Sequence, residues 1–152
     1  MNSVLRYSSE EIVWQEVPGE TSLAYTITGC PVGCKGCHSV DTWPTGSGIE
    51  LLPDYFSQRL HDYQGLITCV LFLGGEWHPA ALQTLLKITK AQGLKTCLYT
   101  GLESVPSYLE RELDYLKTGP WIASRGGLDS RATNQRFMHL SSGELLNVRF
   151  WE

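Results

Sequence analysis

Cys30, Cys34 and Cys37 stand within eight residues in C-x3-C-x2-C spacing. Cysteine thiolates suit zinc and iron–sulfur clusters. A cubane offers four irons, and fully ligated electron-transfer clusters use four cysteines. Three cysteines therefore leave one iron without a protein ligand, and something else can bind there. Gly29, Pro31, Gly33 and Gly36 punctuate the segment; glycine lets the loop bend tightly and lets backbone approach inorganic sulfide. Other readings share these residues. Cys34-Lys35-Gly36-Cys37-His38 matches the C-x-x-C-H of haem attachment, but that leaves Cys30 without a role. Zinc could take the three cysteines with His61 or His78, although zinc sites usually pair two C-x-x-C knuckles. Cysteines can also be small buried hydrophobes. That reading suits Cys69 and Cys97, each alone in a core strand, better than three in one glycine-rich loop.

The elements that position this loop follow from patterning. Residues 11–17 (EIVWQEV) read as a short strand, and Ser22 to Thr28 (SLAYTIT) as the first core strand, directly ahead of the cysteines. The stretch to about Gly48 reads as loop. Pro53 opens a helix with Phe56, Leu60 and Tyr63 on one face, stopped by Gly65. Ile67 to Leu73 is an unbroken apolar run, as expected of a strand buried on both faces of a parallel sheet. Gly74-Gly75-Glu76 ends it. Pro79 starts a second helix carrying Leu82, Leu85 and Leu86, and Gly93 follows its end. Lys95 to Thr100 reads as a strand, Ser104 to Lys117 as a third helix, and Trp121 to Ala123 as a last parallel strand. Arg136 to Leu140 and Leu145 to Trp151 are expected to pair as a hairpin across Ser142-Gly143.

This alternation predicts an α/β fold of right-handed βαβ units around parallel strands. Four or five units do not complete an eight-unit barrel, which takes roughly 250 residues. A partial, open-sided (β/α) barrel is expected, as one domain over 1–152. Chemistry in such folds sits at the C-terminal ends of the strands, where the cysteine loop and Gly74-Gly75-Glu76 both fall.

The bulk numbers agree with an ordinary globular chain. Hydrophobic residues make up 42% and charged residues 18%. Twelve Lys and Arg against 16 Asp and Glu leave a net charge of −4, which gives no reason to expect a nucleic-acid partner. Leu66 to Leu73 is far too short to span a bilayer, and no signal-peptide pattern opens the chain. A cytoplasmic, reducing location is expected, where cysteines serve as ligands or free thiols rather than disulfides.

The string Cys30-PVG-Cys34-KG-Cys37-His38-SV-Asp41-Thr42-Trp43 resembles the activating enzymes of glycyl-radical proteins, within the radical S-adenosylmethionine family. Gly74-Gly75-Glu76 is similar to their GGE motif and ends the next strand, as theirs does. Pro18-Gly19, Tyr99-Thr100-Gly101 and Asn134-Gln135 resemble further short motifs of that family. Among its members, the compact length is similar to the activating proteins of anaerobic ribonucleoside-triphosphate reductase. Pyruvate formate-lyase activating enzymes share the CH…DTW string and are longer. Glu76 is followed by Trp77-His78-Pro79, where relatives commonly have Pro or Asp-Pro.

The resemblance implies a radical S-adenosylmethionine barrel. It implies a 4Fe–4S cluster held by Cys30, Cys34 and Cys37, the catalytic centre, whose open iron binds the amino and carboxylate groups of S-adenosylmethionine. One electron then cleaves the cosubstrate, and the radical formed takes a hydrogen from a glycine of the partner enzyme. Gly74 and Gly75 are implied to bring backbone near the methionyl group, Glu76 to accept from its ammonium, and Thr100 to donate to it. Gly36, Cys37 and His38 are implied adenine contacts. The implied partners are a glycyl-radical enzyme, foremost anaerobic ribonucleotide reductase, and a flavodoxin-like or ferredoxin-like electron donor, with no nucleic acid and no membrane. Activation of another glycyl-radical enzyme such as pyruvate formate-lyase, or a non-catalytic zinc or iron–sulfur adaptor, are the alternatives. Protein purified without oxygen is expected to carry about four iron and four acid-labile sulfide per chain. Stoichiometric zinc without sulfide would sink the cluster reading.

Overall fold

The structure, a computed structural model, describes residues 5–28, 49–120 and 122–150. Eight strands among them form one sheet: β1 (Arg6–Val13), β2 (Ser22–Ile27), β3 (Ile49–Glu50), β4 (Cys69–Leu73), β5 (Lys95–Tyr99), β6 (Tyr115–Thr118), β7 (Arg136–His139) and β8 (Glu144–Leu145). Their spatial order is β3-β1-β2-β4-β5-β6-β7-β8. The four central strands are mutually parallel, with Thr26 beside Leu73, Leu73 beside Tyr99 and Tyr99 beside Lys117. The flanking strands β1, β3, β7 and β8 pair antiparallel. The sheet is open, since β3 and β8 end it on opposite sides. The α/β expectation holds, with more strand and less helix than the sequence suggests.

Alternation along the strands sorts side chains onto two faces. Leu23, Tyr25, Ile27, Val70, Phe72, Leu98 and Leu116 pack on one face. Ala24, Cys69, Leu71, Cys97 and Tyr115 pack on the other. The helices α1 (Pro53–Asp62), α2 (Pro79–Ala91) and α3 (Ser107–Glu110) all bury their apolar residues on the first face. The second face is closed by Val13, Val17, Leu128, Phe137 and Leu146. Cys69 and Cys97 are free, fully buried thiols, as expected of small hydrophobes.

Two expected elements are corrected. The helix expected over 104–117 is a single turn, α3, followed by the strand β6. Leu109, Leu113 and Leu116 keep helical spacing and are all buried, but a turn followed by a strand satisfies the same spacing. The chain is pulled into the sheet by a reciprocal knot. Asp114 accepts the Thr96 N–H (2.9 Å), its own N–H donates to the Thr96 hydroxyl (3.1 Å), and that hydroxyl donates to the Glu112 carbonyl (2.7 Å). The last parallel strand is therefore β6 and not 121–123: Ile122 and Ala123 lie in a turn, and Trp121 is outside the described residues. Smaller differences remain. The first strand runs over Arg6–Val13 rather than 11–17, and the tail forms the hairpin of β7 and β8 but then a 3-10 helix, Asn147–Phe150.

The starts of the parallel strands converge on Glu20. Its Oε1 accepts from the Thr68 hydroxyl (2.6 Å); its Oε2 accepts from Lys95 Nζ (2.9 Å) and the Tyr115 hydroxyl (2.8 Å). Burial pushes this carboxyl up, but the bonds from Thr68, Lys95 and Tyr115 outweigh it and hold the group below its ordinary 4.5. Glu20→Ala leaves Tyr115 and Thr68 without their acceptor, while half-exposed Lys95 adds little. The expected loss is about 2–3 kcal/mol, or about 5–10 °C in Tm. Because the folded value lies below the unfolded one, this contribution is complete above pH 4.5 and fades as the pH falls through the folded value. Thermal melts from pH 8 down to pH 3 should show the gap between parent and variant closing only at the acid end.

Candidate functional site

Parallel pairing puts the C-terminal ends of β2, β4, β5 and β6 on one edge. β2 leads into Thr28, a buried residue whose N–H donates to the Arg6 carbonyl at 2.8 Å. The cysteine segment is joined to the chain there. Cys30, Cys34, Gly36, Cys37 and His38 themselves lie outside the described residues. Among the described residues no group of three or more His, Cys, Asp or Glu side chains could hold a metal ion.

The next strand end carries Gly74, Gly75 and Glu76. Both glycines have left-handed backbone, with φ of +96° and +112°. A Cβ on Gly74 would also lie 2.6 Å from the Trp77 ring. Conformation and the Trp77 ring thus account for glycine here without a ligand. The turn is held by Gly74 N–H to Tyr99 carbonyl (2.9 Å) and His78 N–H to Gly75 carbonyl (3.0 Å).

Glu76 and Thr100 come together at this edge. Both are buried, at 8% and 1% exposure, and the Thr100 hydroxyl donates to Glu76 Oε1. Thr100 also accepts the Leu102 N–H at 3.0 Å, so its hydroxyl is oriented by the turn that follows β5. The other carboxylate oxygen, Glu76 Oε2, is buried without a hydrogen-bond partner among the described residues. Burial pushes the carboxyl above its ordinary 4.5, against the Thr100 hydroxyl, neighbouring backbone N–H groups and the Lys117 ammonium, which pull it down. An acceptor buried without a partner is costly in a folded chain. Here the oxygen is able to accept from a cationic or N–H donor.

The edge continues into residues that sequence reading missed. Lys117, taken as the last residue of a helix, is a buried strand residue, 9% exposed. Its Nζ donates to the Gly119 carbonyl (2.8 Å) and the Thr100 carbonyl (3.3 Å). Asn134 packs against Gly119 and donates from Nδ2 to the Pro120 carbonyl (3.1 Å), leaving its buried Oδ1 unpartnered among the described residues. The Asn134-Gln135 pair had a sequence signal. Lys117 had only the period-two alternation of Tyr115-Leu116-Lys117-Thr118, hidden under the helical spacing of the leucines.

The open sheet thus carries a buried carboxylate and a hydroxyl at adjacent strand ends. The sequence matches the family described as 4Fe-4S single cluster domain over residues 17–118, and the chain belongs to that family. It is similar to a pyruvate formate-lyase-activating enzyme of Clostridium pasteurianum, 29% identical over 110 residues. The match covers 68% of this chain and 46% of that enzyme, so the chain spans about half the length of this curated relative. No solved structure matches the chain. Among the described residues no helix is long and apolar enough to cross a membrane.

Glu76→Gln tests the local electrostatics without any ligand. The raised carboxyl favours the fold while it holds its proton, and that contribution is lost as the pH rises above 4.5 through the folded value. The variant should match the parent at pH 4.5 and become more stable above it, by about 1–3 kcal/mol at pH 8, the scale of an unpaired buried polar group. A Tm difference that does not change with pH would contradict this assignment.

Proposed function

We propose that this chain is a radical S-adenosylmethionine enzyme that activates a glycyl-radical partner, with residues 1–152 acting as one partial-barrel domain. The observation that carries the reading is Glu76 Oε2, buried without a hydrogen-bond partner among the described residues at the end of β4. Family membership, the activating enzyme among its relatives and helices confined to one face of an open sheet support it.

The residues fit the cofactors. Cys30, Cys34 and Cys37 hold a 4Fe–4S cluster by three thiolates and leave one iron for the cosubstrate. When bound, the cluster supplies the single electron that cleaves S-adenosylmethionine reductively. The chain's own residues do the positioning. Glu76 Oε2 accepts from the methionyl ammonium in a charge-assisted bond. Thr100 fixes the carboxylate rotamer through Oε1 and is itself fixed by Leu102 N–H. The Gly74-Gly75 turn presents strand-end backbone to the same group, and Gly36, Cys37 and His38 are the residues we assign to the adenine. An open sheet leaves one side free for a glycine loop of a large partner.

The target we propose is anaerobic ribonucleoside-triphosphate reductase, with electrons from a flavodoxin-like or ferredoxin-like protein in the cytoplasm. The named relative favours a second reading, in which the target is pyruvate formate-lyase. Reconstituted protein with dithionite and S-adenosylmethionine should release 5′-deoxyadenosine. Cys34→Ala should abolish release, and Glu76→Ala should weaken cosubstrate binding about 10- to 100-fold, the loss of one charge-assisted bond. Mixing with each reductase or lyase and recording the glycyl-radical EPR signal assigns the target. A cluster-loaded protein that releases no 5′-deoxyadenosine would overturn the enzyme reading.

A further inference from the structure

Lys117 is the one feature of this edge for which neither the sequence motifs nor the proposed chemistry has a use. A lysine at 9% exposure in a central strand is unusual, because burying an ammonium costs several kcal/mol unless its donors are satisfied. The fold alone would be served as well by a leucine or methionine, packed against the Tyr99 ring that Nζ overlies at 5.9 Å. Where the ammonium goes is informative. It donates to the carbonyl of Thr100 just past β5 and to that of Gly119 just past β6. Gly119 N–H donates back to the Leu102 carbonyl (2.8 Å), Leu102 N–H to the Thr100 hydroxyl (3.0 Å), and that hydroxyl to Glu76. The ring of contacts closes on itself: Lys117, Gly119, Leu102, Thr100, and back to Lys117. Glu76 hangs from it through the Thr100 hydroxyl.

We infer that Lys117 is the positioning residue of this site: its ammonium ties two strand ends into the frame that aims Thr100 at Glu76. The groups around Glu76 agree. The Thr100 hydroxyl lies on the β5 side and Lys117 on β6, and its charge acts on the carboxyl. His78 on the α2 side is exposed, and the Tyr99 hydroxyl is turned away to the Glu16 carbonyl. The Thr100 hydroxyl, the backbone N–H groups and, after them, the Lys117 charge all oppose the upward push of burial on the Glu76 carboxyl. The binding part of this inference rests on the S-adenosylmethionine reading; the coupling part does not.

The experiment is a double-mutant cycle in the anaerobically reconstituted full chain, with Lys117→Met, Glu76→Gln and the pair, melted at pH 5 and pH 8. At pH 8 Lys117→Met should cost more stability with Glu76 present than with Glu76→Gln, and the difference should shrink at pH 5. S-adenosylmethionine binding, by equilibrium dialysis, should weaken up to about tenfold in Lys117→Met at pH 7, the scale of one lost positioning contact, and the loss should narrow as the pH is raised. Lys117→Arg, which keeps the charge, should retain the parent's pH profile even where its Tm falls. Equal costs in both Glu76 backgrounds at both pH values, or a binding loss that does not vary with pH, would overturn the assignment. A clear coupling with no S-adenosylmethionine binding in the parent would leave Lys117 as assigned and overturn the functional reading.

Discussion

Glu20 sits where the four parallel strands begin, and its two oxygens collect a hydroxyl ahead of β4, the ammonium that opens β5 and the phenol that opens β6. Parallel strands have no tight turns to fix their register, since each connection runs through a long crossover. A common anion at their starts supplies what turns supply in an antiparallel sheet. The apolar pattern then specifies register face by face, with Val70 and Phe72 under the helices and Cys69 and Leu71 against the opposite cluster. A slip by one residue would exchange these sets. With the starts tied together, the opposite ends bring Glu76, Thr100 and Lys117 to that second edge.

The two edges use carboxylates in opposite ways. Glu20 is a buried anion with every bond made, and its partners hold it below its ordinary titration range. Glu76 is a buried carboxyl with one oxygen bonded and the other bare among the described residues, and burial holds it above that range. The first arrangement stabilises the fold and the second costs it. The division matches that in wound β/α sheets between a stabilising bottom and a functional top.

Sequence reading recovered what local chemistry controls. Pro53 and Pro79 do open the two long helices, the apolar run before Gly74 is a central parallel strand, and Glu76 and Thr100, far apart in sequence, do meet. It failed where two local readings fit equally and a distant residue decided between them. Leucines at 109, 113 and 116 fit a helix, and only the Thr96–Asp114 knot, which sequence cannot show, turns 115–118 into a strand. Misplacing that strand hid Lys117 and moved the last parallel strand to 121–123. The Glu20 clasp was invisible for the same reason, because its donors come from three separate strands. The cysteine triad suggests a ligand set by residue type and spacing, the family match supports an iron–sulfur domain, and the three residues themselves lie outside the described ones.

The bare oxygen of Glu76 also couples binding to folding. Anything that binds only the folded chain stabilises it by mass action, in proportion to the logarithm of its concentration over Kd. A cation that paired with Glu76 would do more, because it would remove a desolvation cost the folded chain already carries. Part of such an affinity would come from relieving that cost, and only the remainder from the new attraction itself. The ring through Lys117, Thr100, Leu102 and Gly119 is what allows the cost to persist, since a loose edge would let Glu76 turn to solvent and hydrate. Rigidity at the strand ends, the knot at Thr96 and Asp114 that holds β6 in the sheet and the clasp at Glu20 all serve this one condition. That condition is a carboxylate held dry and aimed, the arrangement that electrostatic preorganisation for a charged ligand would require.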